Sequence, residues 1–265
     1  MAISLVIIDG TIVNTIFPEI IRDLNLTSTE VQWVQESYIL VFASTLLIWG
    51  SLGDRMGRRR LLTIGIVIFI ASSIWAGFAD SASSLILARV VQGIGGAMVL
   101  PTTLSIVNAT FSGRERGIAF AVWGSTIGGM VAVGPVLGGW LATDFTWRWA
   151  FLINVPLGAI IIVGLLLFVL ESRAPGQVKG IDFLGAVLSV MLFGPLVFGL
   201  IEGRIYGWWS ASEKNVFALG EWVWPTGGLS IIPVALAVSL LAGIGFVVWE
   251  QSREKRGLGV LLDLN

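Results

Sequence analysis

Eight runs of mostly apolar residues divide this 265-residue chain, and most connections between them are short. The runs cover 1–20, 33–51, 61–79, 84–111, 117–143, 150–170, 182–203 and 227–250. A helix needs about 20 apolar residues to cross a bilayer. Inside hydrocarbon each backbone N–H and C=O must find a partner within the protein, so runs of this length predict helices. The expected fold class is therefore all-α, an integral membrane helical bundle. The fourth and fifth runs are long, which predicts tilt or ends that project into water. Only 204–226 forms a long connection. Charged residues make up 12% of the chain, against about 25% in soluble domains. The first run lacks a basic start and contains Asp9 and Asn14, so it is expected to be a membrane span rather than a cleavable leader.

The basic residues assign sidedness. With eight spans, Arg55, Arg58, Arg59, Arg60, Arg114, Arg116, Arg173, Lys179, Arg253, Lys255 and Arg256 fall on one side. Arg22, Arg148, Arg204 and Lys214 fall on the other, and Arg89 lies within a span. The richer side is the cytoplasmic one by the positive-inside rule, which predicts that both termini are cytoplasmic. Trp208, Trp209, Trp222 and Trp224 flank the long outer connection, with Trp147 and Trp149 at a similar level. Indoles favour that interface. Thr27 followed by Glu30 is a capping box that opens the second helix.

Composition also narrows the chemistry. The chain has no Cys and no His, so thiolate sites, disulfides and the commonest metal ligand and general base are excluded. No phosphate-binding loop, metal cluster or serine triad is present, and a net charge of −1 gives no field for nucleic acid. The expectation is a protein that is not an enzyme and carries no metal or cofactor.

What stands out instead is polarity inside the spans. Asp9 interrupts the first run, where a carboxylate costs about 2.5–3.5 kcal/mol on insertion scales and is a functional candidate. The alternative is a cap on a frayed first turn. Arg89 lies about 8 Å below the outer surface and Asp9 about 16 Å below it, at about 1.5 Å per residue. An arginine side chain can close much of that gap, or it can snorkel to the interface. Gln92, one turn deeper, favours a polar stripe. Asn14, Gln35, Glu36 and Tyr38 add polar groups in the outer half of the first two spans. Glu36 and Glu202 are each open to a protonatable or a solvated reading.

Two further features concern backbone shape. Gly50, Gly53 and Gly57 punctuate the loop that carries Asp54, Arg55, Arg58, Arg59 and Arg60. In the fifth run Gly124 and Gly128, and Gly134 and Gly138, are four apart, a spacing that lets helix backbones approach. Gly129 and Gly139 add to that run. Pro101, Pro135, Pro195 and Pro233 stand inside spans, where proline kinks a helix or breaks its ladder.

Four stretches in order resemble motifs of the major facilitator superfamily, in its fourteen-helix drug:proton antiporter branch. They are Asp9 to Pro18, with Asn14 inside it; Gly50 to Arg60; Arg89 to Ala97, with Gln92 and Gly93; and Gly134-Pro135-Val-Leu-Gly138-Gly139. The resemblance implies a six-helix bundle over 1–170, a cytoplasmic linker over 171–181, and an additional helix pair over 182–250. A cytoplasmic segment over 251–265 would then lead toward a second bundle that this chain does not contain. It implies export of a lipophilic drug-like compound in exchange for protons, driven by the proton gradient across the plasma membrane. Asp9 would be a proton or cationic-substrate site with Arg89 as its coupling partner. Asp54 would close the cytoplasmic side against a helix of the second bundle, and the glycine-rich fifth helix would bend and slide. An exporter of a metabolite or lipid, an uptake symporter, and a nontransporting half-transporter that binds a membrane partner are the competing expectations.

Overall fold

A computed structural model of the chain describes residues 1–173, 182–212, 215–219 and 222–262. Lys179 and Lys214 of the charge count, most of the expected linker and the last three residues lie outside the described residues. Within them the chain forms nine α-helices that make eight membrane-length spans. These are α1 (Ala2–Leu24), α2 (Ser28–Met56), α3 (Arg58–Gly77), α4 (Ala82–Thr110), α5 (Gly113–Asp144), α6 (Arg148–Leu152), α7 (Asn154–Phe168), α8 (Phe183–Tyr206) and α9 (Ile231–Lys255).

Helix ends follow polar caps rather than the edges of the apolar runs. The second span begins at Ser28 rather than at 33 because the Thr27 capping box is closed. The Thr27 amide donates to Glu30 Oε2 at 2.8 Å, and the Glu30 amide donates to Thr27 Oγ1 at 3.3 Å. The last span starts at Ile231, not at 227, because Ser230 caps it. Pro233 consequently sits in the first turn, where a missing N–H costs nothing, and not in the helix interior. The sixth span is two helices, α6 and α7, interrupted at Ile153. Pro156 offers no N–H to the Leu152 carbonyl, which accounts for a break at this point. The long connection contains a small hairpin, β1 (Ala218–Leu219) paired antiparallel with β2 (Trp222–Val223). This short hairpin is an addition to the all-helical expectation.

The chain divides into two compact units. The first comprises residues 1–42 and 49–175 and the second 43–48 and 176–265. In the first unit α3 packs on α4 and α1 packs on α5. Two apolar clusters form its core. One contains Ile12, Ile16, Ile20, Val34, Ala88 and Phe151. The other contains Leu5, Leu62, Ile66, Phe69, Val99, Ile161 and Leu165. In the second unit α8 packs on α9. Many large apolar side chains remain exposed, among them Val67, Trp75, Leu167, Leu200 and Leu241. Apolar exposure on this scale suits lipid rather than water.

Of the tryptophans, Trp209 (75%), Trp222 (54%) and Trp149 (50%) are exposed as an interfacial belt requires. Trp147 is not. It is buried, donating from Nε1 to Asp23 Oδ2 at 2.9 Å, and Arg148 Nη1 donates to the same oxygen at 2.5 Å. Asp23 thereby ties the end of α1 to the start of α6.

Candidate functional site

The two apolar clusters of the first unit are separated by a polar layer, and every contributing helix changes character at the same level. On α1, Leu5 and Val6 belong to one cluster and Ile12 onward to the other, with Asp9 between them. On α4, Ala88 and Val99 belong to different clusters, with Arg89 and Gln92 between. On α3, Phe69 and Ala76 bracket Ser73, and Phe151 and Ile161 bracket Asn154 at the first position of α7. Asp9, Ser73, Arg89, Gln92 and Asn154 are all fully buried.

These side chains form one hydrogen-bonded network. Arg89 Nη1 donates to Asp9 Oδ2 at 2.6 Å, closing a salt bridge. Asp9 Oδ1 accepts from Gln92 Nε2 at 2.7 Å and from Asn154 Nδ2 at 2.8 Å. Ser73 Oγ accepts from the same two amide nitrogens at 2.8 and 3.2 Å. Arg89 uses its other donors on Gln92 Oε1 (2.7 Å), the Val34 carbonyl (3.1 Å) and Gln35 Oε1 (3.3 Å). Gln35 is itself oriented by donating to the Gly10 carbonyl at 3.0 Å. The guanidinium carbon lies 4.1 Å from the centre of the Tyr38 ring, a cation–π contact that gains strength when dry.

Arg89 therefore does not snorkel, and Asp9 does not cap a frayed turn. Each charge is buried against the other. Removing one partner of such a pair costs about 3–5 kcal/mol, because the survivor stays buried and uncompensated. Asn154 and Ser73 belong to the site although nothing in the sequence reading pointed to them. The available signal was the kind that marked Asp9, a strongly polar residue inside an apolar run. Asn14 and Glu36 are not brought to Asp9. Asn14 is exposed, and Glu36 is half-buried with Oε2 lacking a hydrogen-bond partner among the described residues.

Close helix contacts hold the layer in place. Gly93 lies against the Tyr38 carbonyl of α2, and a Cβ there would come within 2.7 Å of it. Gly95 lies against the Gly65 carbonyl and the Phe69 amide of α3, each 2.8 Å from such a Cβ. These glycines seat α4 against α2 and α3, and so place Arg89 and Gln92. On α5, Gly134 and Gly138 fit over Thr11 and Thr15 of α1, and a methyl at either position would overlap the threonine hydroxyl. Gly124, Gly128, Gly129 and Gly139 meet nothing within 4 Å, so only the Gly134/Gly138 pair acts as a packing motif here. Pro135 is exposed, beside the packed stripe.

The arginine-rich stretch expected as a loop is helical except at Gly57, since α2 runs through Met56 and α3 starts at Arg58, and it forms a second polar site in the same unit. Asp54 pairs with Arg58, accepting at Oδ1 from Nε at 2.8 Å and Nη2 at 2.7 Å. Gly57 ends α2 and starts α3 with φ of 114°, and a Cβ there would stand 2.7 Å from the Glu171 carboxyl. That carboxylate accepts from the amides of Arg59 and Arg60, each at 3.1 Å. It caps the N-terminus of α3, where a negative charge is favoured. Arg59 Nη2 donates to the Leu166 carbonyl at 3.1 Å. Gly50 makes only ordinary contact with Pro101, and Arg55 is half-buried. Glu171 was not anticipated.

Residues 1–259 match the family model of the Major Facilitator Superfamily. A probable actinorhodin transporter of Streptomyces coelicolor is 33% identical over 98% of the chain. A puromycin resistance protein of Streptomyces alboniger is 35% identical over 82%, and a multidrug export protein of Haemophilus influenzae is 33% identical over 94%. The matched parts cover 42%, 43% and 46% of those proteins, so the chain spans less than half their length. Among solved structures, a peptide transporter with alafosfalin superposes with a TM-score of 0.58 at 17% identity, over 76% of this chain and 44% of that one. A bacterial homologue of the human lysosomal transporter Spinster gives 0.54 at 19% identity, over 96% and 60%. These two establish likeness of fold.

Proposed function

The chain belongs to the Major Facilitator Superfamily, a family of transporters rather than enzymes, and we propose that it forms the N-terminal helical portion of an exporter. That exporter trades a lipophilic small molecule for protons across the plasma membrane. The observation that carries the reading is the buried Asp9–Arg89 pair within a network of amide donors. A proton arriving at Asp9 neutralises the carboxylate and removes the partner that holds Arg89. Arg89 then keeps only neutral acceptors, so the closed arrangement of α1, α4 and α7 loses its main electrostatic tie. Proton binding and helix rearrangement become one event, which is the coupling an antiporter requires.

The remaining parts fit this reading. Both termini lie in the cytoplasm, with the Asp54–Arg58 pair on the same side. The Gly134/Gly138 stripe gives α5 a smooth track over α1. Rocking requires a second helical bundle, supplied by the same polypeptide or by another chain. Relatives named for export and for resistance support a small-molecule cargo.

The test uses everted membrane vesicles containing the full-length transporter, with ethidium as a probe lipophilic cation and a pH-sensitive dye. Ethidium addition should dissipate an imposed proton gradient. Asp9→Asn combined with Arg89→Gln leaves neither charge alone and should abolish that exchange at matched protein level, whereas Asn14→Ala should retain it. Exchange that survives the double substitution removes Asp9 from the coupling step.

A further inference from the structure

A second carboxyl cluster lies in the other unit, remote in sequence from the Asp9 network. Asp182 caps α8, accepting at Oδ1 from the Gly185 amide and from Trp249 Nε1, each at 2.9 Å. Its Oδ2 is buried with no hydrogen-bond donor among the described residues, although Arg253 Nε approaches to 3.3 Å as an ion pair. Glu250 is also buried, and its carboxyl meets that of Asp182 beside Gly185 at the start of α8. Gly185 makes room for both. A Cβ there would run into Asp182 Oδ2 and stand 2.7 Å from Glu250 Oε1.

Among the described residues the two carboxyls share one cation, Arg253, whose Nε and Nη2 are also bonded to the Gly259 carbonyl at 2.9 and 2.7 Å. The other charged residues on the last turn of α9 are Glu254, Lys255 and Arg256. On α8 the next charges are Glu202 and Arg204 at the far end, and residues 257–262 bring none. Two carboxylates cannot hydrogen-bond to each other, since both only accept. Two carboxyls buried at one helix end favour one protonated and one ionised group.

We infer that Asp182 and Glu250 bind one proton between them, and that this O–H···O bond fastens residues 257–262 onto the α8–α9 pair. The proton comes from water and fills the donor that Asp182 Oδ2 lacks. The fastening is direct, because Glu250 Oε2 and Oε1 accept from the Leu261 amide at 3.1 and 3.3 Å. Loss of the proton sets two buried carboxylates against each other. Glu250 is then driven from the α8 terminus, and its bond to Leu261 goes with it. The cluster is a proton-binding latch, independent of the Asp9 reading.

The absence of native cysteine makes a clean test available. A nitroxide on Leu262→Cys, an exposed position, reports the mobility of this segment by electron paramagnetic resonance in nanodiscs. The segment should be immobile at acid pH. The mobile-to-immobile ratio should rise about tenfold per pH unit across the transition, the slope of a single proton. Glu250→Gln supplies a permanent amide donor and should hold the segment immobile at every pH. Glu250→Ala should leave it mobile throughout. A wild-type spectrum that ignores pH, or a Gln variant that titrates as wild type does, overturns the proposal. The Gln variant is close in shape to Glu and decides the matter if the Ala variant does not fold.

Discussion

Replacing Asp9 by Asn and Arg89 by Gln, singly and together, tests whether these residues form one buried ion pair. Asp9→Asn keeps an oxygen for Gln92 and Asn154 but turns an amide toward Arg89 Nη1, which now sits 2.6 Å from its carboxylate. Arg89 retains Gln92, Val34 and Gln35 as acceptors, none of them charged. Arg89→Gln leaves Asp9 with its two amide donors and no cation. Each single substitution leaves a lone buried charge and should cost about 3–5 kcal/mol. The double variant leaves none. Its cost should fall short of the sum by about 2–3 kcal/mol, the scale of coupling between contacting groups. The assay is reversible unfolding in mixed micelles of dodecyl maltoside and SDS, followed by the fluorescence of the 12 tryptophans. Costs that add to within about 0.5 kcal/mol, as for independent sites, would refute the buried pair.

The packing claims give further predictions in the same assay. Gly138→Val should destabilise by about 1–3 kcal/mol by overpacking α5 against Thr15 and Ile12, whereas Gly124→Ala, in open space, should be neutral or gain up to about 1 kcal/mol of helix propensity. Gly57→Ala forces a β-carbon into a left-handed backbone and the Glu171 carboxyl and should cost about 1–3 kcal/mol. Glu171→Ala should cost about 0.5–2 kcal/mol as a lost cap on α3, and hydrogen exchange should quicken at the Arg59 and Arg60 amides. Asn154→Leu removes one of the three donors to Asp9 and should shift the pH dependence of exchange in vesicles while leaving ethidium binding within twofold.

Hydropathy made the eight spans legible, because a bilayer demands long apolar helices and little else has that pattern. Their ends were less so, since Thr27 and Ser230 set the boundaries through side-chain caps. Asp9, Arg89 and Gln92 stood out as costly polar residues in apolar runs. Asn154 and Ser73 obey the same rule but are uncharged and common enough in spans to pass unnoticed. Asn154 joins Asp9 across 145 residues, a separation that no local pattern encodes. Glu171 reaches Arg59 across 112 residues for the same reason. The glycines of α5 looked alike in sequence. Only the position of Thr11 and Thr15 on the neighbouring helix separates Gly134 and Gly138 from the rest. Trp147 looked like its exposed neighbour Trp149 until Asp23 gave it a buried partner.

The central claim is that Asp9 takes up and gives back a proton. Infrared difference spectroscopy of the reconstituted protein across a pH step measures this directly, through the C=O stretch of a protonated carboxyl. The account predicts a band that grows as pH falls, is missing in Asp9→Asn, and remains in Glu250→Gln. A wild-type spectrum whose carboxyl bands are unchanged by Asp9→Asn at every pH would contradict it.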